Sequence, residues 1–99
     1  MTILVDRPRW PAHGTRFAHL VSDVSLDELH AFEAALSLSL PRRLRFHNDH
    51  YDVPERAWQL AVDAGASVVS THELVRRIRA AGLRARPTSA GTAPRRRGV

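Results

Sequence analysis

The chain has 99 residues, which bounds it to one domain with a single small core. It holds no cysteine, which excludes disulfides, iron–sulfur clusters and thiolate zinc sites and fits a reducing compartment. The net charge of +5 divides unevenly: residues 1–75 carry seven arginines against ten acids, a balance of −3, while residues 76–99 carry eight arginines and no acid, +8. All fifteen basic residues are arginine, and beside fourteen alanines and one asparagine that usage reads first as GC-rich coding rather than as phosphate recognition. The apolar run in MTILVD is too short for a signal peptide and has no basic residue before it, and no stretch approaches the ~18 apolar residues of a membrane span. A cytoplasmic protein with no membrane partner is expected.

In chain order, TILV (2–5) is a continuous apolar run that reads as a buried strand ending at Asp6. RPRWPAHGT (7–15), with two prolines and a glycine, is predicted to be loop. RFAHLVS (16–22) alternates as a second strand, with Phe17, His19 and Val21 on one face and Ala18 and Leu20 on the other. Ser25-x-x-Glu28 then opens a helix over 26–37, with Leu29, Phe32 and Leu36 as its apolar stripe and Leu26 and Ala35 beside it. LRF (44–46) is a third strand. Asp52-x-x-Glu55 repeats the start signal for a helix over 54–64, in which Pro54 suits the first turn, Trp58, Ala61 and Val62 face inward, and Gly65 is the stop. SVVS (67–70) is a fourth strand, and Ser70-x-x-Glu73 opens a third helix over 71–81, carrying Leu74, Val75 and Ile78 and ended by Gly82. Beyond residue 84 there is no apolar period. The spacing therefore predicts one α/β domain over 1–84, with a small parallel or mixed sheet of about four short strands and three helices, and a disordered arginine-rich tail over 85–99.

In parallel α/β sheets ligands bind outside the carboxyl ends of the strands, and the polar residues gather there. Asp6 closes the first strand, Ser70 and Thr71 close the fourth, and FHNDHYDVPE (46–55) follows the third. Imidazole and carboxylate supply acid–base chemistry near neutral pH, so Asp6, His47, His50 and Asp52 are the candidate catalytic groups. Arg9, Trp10, His13, Asp49 and Tyr51 are candidates for holding the substrate. If 47–52 stays extended, His47 and Asp49 point one way and His50 and Asp52 the other, a division that a turn would undo. His47-x-x-His50 matches no zinc signature, so the signal for a divalent metal is weak and no ligand set is assigned. Bland readings stand beside these: Asp52 as a helix cap, Tyr51 and Trp58 as core, His30 as a satisfied half-buried residue, His72 as surface, and Arg9 as a partner of Asp6. His13, beside Gly14, has no evident structural reason to be histidine.

VDRPRWPAHG, HLVSD, DELHAF and HNDHYDV, in that order, resemble a small actinobacterial and phage family known only as a domain of unknown function. Its pattern is V-D-x-x-R-W-P-x-H-G, H-L-x-S/A-D, E-L-H-A-F/M and H-x-x-H-Y-D. The resemblance spans roughly residues 2–82 and picks out Asp6, Arg9, Trp10, His13, Gly14, His19, Asp23, Glu28, His30, His47, His50, Tyr51 and Asp52. It implies no activity. It implies a location, and it adds His19 to the substrate-binding set and raises His30.

Three functions compete. One is a hydrolase or transferase acting on a phosphorylated or nucleotide-like small molecule. Another is a binding module for a nucleotide or nucleic acid, with the arginines of 76–99 adding salt-sensitive affinity. The third is an accessory protein whose histidines form polar core networks. No glycine-rich phosphate loop, G-x-S-x-G elbow or H-E-x-x-H motif separates them.

Overall fold

In the computed structural model, which describes residues 2–40 and 42–83, the first apolar run is β1, Ile3–Val5. Its side chains alternate, Leu4 into one core cluster and Ile3 and Val5 into another on the opposite face. β1 pairs antiparallel with β3, Thr15–Ser22, which is the predicted second strand lengthened by one residue. The predicted tail of 85–99 lies outside the described residues.

Residues 7–15 are not all loop. β2, Trp10–Ala12, folds back on β3 with Trp10 opposite Phe17. Pro11 is tolerated because β2 is an outer strand, where a missing N–H breaks no ladder bond. The two-residue turn at His13 and Gly14 has φ of 50° and 78°, the left-handed conformation that such hairpins need at both positions. Histidine is among the few side chains that adopt it readily, which supplies a structural reason for His13. Val5 faces Leu20 and Trp10 faces Phe17, so the chain takes five steps on one side against three on the other. The two extra residues form a bulge around Arg7 and Pro8, which brings Trp10 onto the same face as His19.

α1, Leu26–Ser37, begins as predicted, with the Ser25 hydroxyl accepting from the Glu28 amide at 3.0 Å. Leu29 and Leu36 are buried and Leu26 and Phe32 pack partly, but Ala35 is exposed. The stripe is completed by Glu33, fully buried. The polar stretch that follows the third predicted strand is a β-hairpin: β4, Arg45–His47, and β5, His50–Pro54, with His47 opposite His50. Asn48 takes the positive φ of its two-residue turn, 52°. α2, Glu55–Asp63, follows directly, and its N-cap is Pro54 with no side-chain hydrogen bond. Asp52 is therefore not a helix cap, because it lies within β5 and its carboxylate is turned to histidines. β6 is only Ser67–Val68, and α3, Thr71–Ala80, is capped by Ser70, whose hydroxyl accepts from the Glu73 amide at 3.0 Å.

The six strands form one mixed sheet in the order β4-β5-β3-β1-β6, with β2 also on β3. The β1–β6 pair is parallel and the others are antiparallel, so the chain is α/β with more strands and less parallel pairing than the sequence suggests. Short strands explain the difference: two of the six fall in stretches whose prolines, histidines and aspartates disguise them. α1 and α2 cover one face, against Val5, Leu20, Tyr51 and Val53. α3 covers only part of the other, packing Leu74 and Ile78 on Leu4 and Val21. The remainder of that face, over β2, β3, β5 and β4, is left uncovered by helix, as antiparallel sheets allow. No described helix is long and apolar enough to cross a membrane.

Candidate functional site

A row of polar residues crosses the sheet on the uncovered face. The Asp6 amide donates to the His19 carbonyl at 3.2 Å, His19 stands opposite Asp52, and Asp52 stands opposite Arg45. The next row holds His47 opposite His50. Cross-strand partners share a face, so the hairpin turn puts His47, His50 and Asp52 together and removes the division expected of an extended chain.

Asp6 is fully buried at the base of the row. Its carboxylate accepts from the His19 amide at 2.6 Å, from His19 Nδ1 at 2.8 Å and from the Thr71 hydroxyl at 2.6 Å. Burial would raise its pKa, but the hydrogen bonds from the His19 ring, Thr71 and the His19 amide, with the His19 charge, hold it below the ordinary value. Asp6 is thus an anion, an acceptor only, and Nδ1 of His19 carries the proton. That leaves Nε2 of His19 as the free nitrogen. Trp58 ties the same loop down, donating from its indole N–H to the Asp6 carbonyl at 2.8 Å. Asp6 is accordingly a positioning group for His19, and Arg9 does not pair with it.

His50 repeats the arrangement. Its Nδ1 donates to Asp49 Oδ1 at 2.8 Å, and Asp49 is buried in the turn. Its Nε2 lies 3.3 Å from Asp52 Oδ1, while Asp52 Oδ2 meets His47 Nε2 at 3.0 Å. The His19 and His50 rings are edge to face with centroids 5.0 Å apart, and the Trp10 ring lies 5.3 Å from His19. Asp6 therefore reaches His50 through one intervening imidazole. One donor atom each from His19, His50 and Asp52 fall within 4.8 Å of one another, and all three residues are half-buried.

Two clefts meet at Trp10 and His19. The larger, about 650 Å³, runs over β2, β3 and β5 to the 42–45 segment and α2, taking in His13, Phe17, His47 and Asp52. Its rim carries Arg42, Arg43, Arg45 and Arg56. Arg43 donates to buried Glu33 at 2.7 Å, whereas Arg42, Arg45 and Arg56 have no acidic partner among the described residues. The smaller cleft, about 350 Å³, lies between Asp49, His50 and Thr71 on one side and Val21, Leu74, Val75 and Ile78 on the other.

The structure thus brings together Asp6, Trp10, His19, His47, Asp49, His50 and Asp52, with His13 further along the larger cleft. Tyr51 is not among them. It faces the opposite side of β5, buried, with its hydroxyl 2.7 Å from His30 Nδ1 and its ring against Phe46. Burial first, and the Glu33 charge second, raise its pKa. His30 is the satisfied, half-buried residue of the bland reading. Arg9 is exposed and lines neither cleft. The centre also differs in place: Asp6 and Thr71 sit at strand ends, but His19, His50 and Asp52 project from the face of antiparallel strands. Sequence reasoning passed over the arginine rim, although RRLR (42–45) stands directly before the histidine stretch, and that adjacency was the available signal.

Fold and site together define a small α/β domain with a histidine–carboxylate centre on an uncovered sheet face. The chain belongs to the family described as Protein of unknown function (DUF4031), whose model matches residues 3–81. No curated protein and no solved structure matches it.

Proposed function

We propose that the protein is a hydrolase acting on a phosphorylated, nucleotide-like small molecule bound in the larger cleft. The observation that carries this reading is the adjacency of an oriented His19–His50–Asp52 cluster to a rim with three arginines that lack acidic partners among the described residues. Arginine matches a phosphoryl group with paired donors. The Trp10 and Phe17 rings offer flat apolar surface for a base. The cluster holds a water, which attacks phosphorus. Its proton passes to Nδ1 of His47, the ring nitrogen not engaged by Asp52, the bond from phosphorus to the leaving oxygen breaks, and that oxygen takes a proton from solvent through the open cleft. Charge developing on the phosphoryl oxygens is met by Arg42, Arg45 and Arg56.

The test is a panel of nucleoside phosphates and nitrophenyl phosphoesters, followed by release of phosphate or nitrophenol, with and without divalent cations. His47→Ala is expected to lower kcat by roughly 10²–10⁴-fold, the range for loss of a general base. Arg45→Ala is expected to lower kcat as well as raise KM, because Arg45 meets charge that develops as the bond breaks. No turnover of any substrate, together with no thermal shift from any nucleotide, overturns the reading. Binding without turnover favours the second reading, a nucleotide or nucleic-acid binding module. Arg76 and Arg77 weigh against an arginine patch there, since Glu73 and Asp23 already engage them.

A further inference from the structure

We infer that His19, His50 and Asp52 bind a divalent transition-metal ion through two imidazole nitrogens and one carboxylate oxygen. Four features of the cluster support this. First, the spacing fits. Ligand atoms about 2.0–2.1 Å from a tetrahedral ion lie about 3.3 Å from one another, and His50 Nε2 and Asp52 Oδ1 are 3.3 Å apart. The third donor, on His19, lies within 4.8 Å of both, so closure asks for a contraction of at most about 1.5 Å.

Second, each ligand is already held from behind. Metal-bound histidines ordinarily donate their other ring N–H to a carboxylate or carbonyl, which fixes the tautomer and aims the free nitrogen at the ion. Asp6 does this for His19 and Asp49 for His50, both at 2.8 Å, and both carboxylates are buried. Asp52 is oriented too, with His47 Nε2 on its second oxygen at 3.0 Å. A histidine serving only packing has no need of a buried anion behind it.

Third, the charges ask for a cation. Because Nδ1 of His50 donates to Asp49, a neutral ring turns the Nε2 lone pair toward a carboxylate oxygen, acceptor against acceptor. Asp6 and Asp52 meet imidazoles rather than arginines among the described residues. Fourth, the ligands stand on paired strands, where the β3–β5 ladder places His19 opposite Asp52. Imidazole with carboxylate suits zinc, iron, cobalt or manganese better than calcium or magnesium, which prefer all-oxygen sites. The positions not taken by protein open toward the two clefts. Binding of the ion stands apart from the hydrolase reading, and only its role as the holder of the attacking water rests on that reading.

The experiment uses untagged full-length protein freed of metal and titrated with Zn²⁺ and Co²⁺ alone, without substrate, by calorimetry. Long-range ¹⁵N NMR of the imidazoles is recorded before and after. One ion per chain is expected, with shifts of the Nε2 signals of His19 and His50 and little change at His72, which is exposed on α3. Asp52→Asn and His50→Ala should each lose the stoichiometric site while their amide spectra remain folded. Asp6→Asn, a change behind the ligand, should weaken binding by on the order of 10–100-fold. If Asp6→Asn fails to fold, Thr71→Ala, which removes one donor from the same carboxylate, takes its place with a smaller loss. Absence of stoichiometric binding by the folded wild type overturns the inference, and so does unchanged binding in the Asp52→Asn, His50→Ala double variant. Metal binding without phosphoester turnover would retire the hydrolase reading alone.

Discussion

Nδ1 of His19 lies 2.8 Å from the buried carboxylate of Asp6, which also accepts from the His19 amide at 2.6 Å. One residue thus grips the other by backbone and side chain at once, and the free nitrogen of His19 is aimed by a buried group that lines neither cleft. The pKa of Asp6 is lowered on folding, so it contributes stability that is complete above the ordinary aspartate value of 3.8 and is lost as pH falls through the lower folded value. Glu33, lowered despite its burial by Arg43, Ser37 and the Leu44 amide, acts in the same direction. Urea midpoints should therefore drop steeply below pH 4 in the wild type, and less steeply in Asp6→Asn. Equal pH dependence in the two proteins would remove Asp6 from this role.

Removing the Glu33 carboxylate should cost about 2 kcal/mol, because it strands the Ser37 hydroxyl and the Leu44 amide that now bond to it. Arg43, 72% exposed, can return to water, which keeps the loss below that of a buried ion pair. Glu33→Ala should also speed amide exchange at 43–45, the segment that carries the arginine rim. A drop in urea midpoint without faster exchange there would separate stability from rim placement.

Helix capping divides cleanly by position. Ser25→Ala and Ser70→Ala should each cost about 1 kcal/mol, since each hydroxyl accepts from a helix amide at 3.0 Å. Asp52→Ala should leave the α2 amides as protected as in the wild type, because α2 is capped without it. Selective loss of protection at the start of α2 would return Asp52 to the capping role.

The hairpin turns allow structure and chemistry to be told apart at His13. His13→Asn keeps a side chain suited to positive φ, so the melting temperature should hardly change. His13→Val should cost about 1–2 kcal/mol through strain, β-branched residues being poorly suited to this region. Loss of ligand binding in His13→Asn, with unchanged melting, would mark the imidazole itself as needed.

The three helices were legible because each announces itself twice, by a cap or breaker at its ends and by apolar spacing within. Both serine caps formed the expected bonds. The two missed strands share a different cause. Neither shows an apolar alternation: in β5 burial alternates but the open-side residues are histidine and aspartate, and in β2 all three residues are exposed. Asn48-Asp49 is also a weaker hairpin signal than Asn-Gly. Glu33 was legible in principle: it stands four residues after Leu29 and three before Leu36, squarely on the buried stripe, with Ser37 and the arginines of 42–45 ahead to satisfy it. The pairing of His19 with Asp6 required the register of β1 on β3, which depends on a bulge that no local rule forecasts.

The site is divided between two local hairpins. His19 belongs to β2–β3, and His50 and Asp52 belong to β4–β5, with the whole of α1 between them in the chain. Each hairpin closes over a two-residue turn and is expected to form on the microsecond scale. Neither contains a complete cluster. The centre comes into existence only when β3 and β5 meet edge to edge, a contact far apart in sequence and therefore slow to close. In a refolding experiment the His19 ring should thus act as a clock for the last long-range step, reaching its native signal after the helices have formed and together with the pairing of Ala18 and Val53.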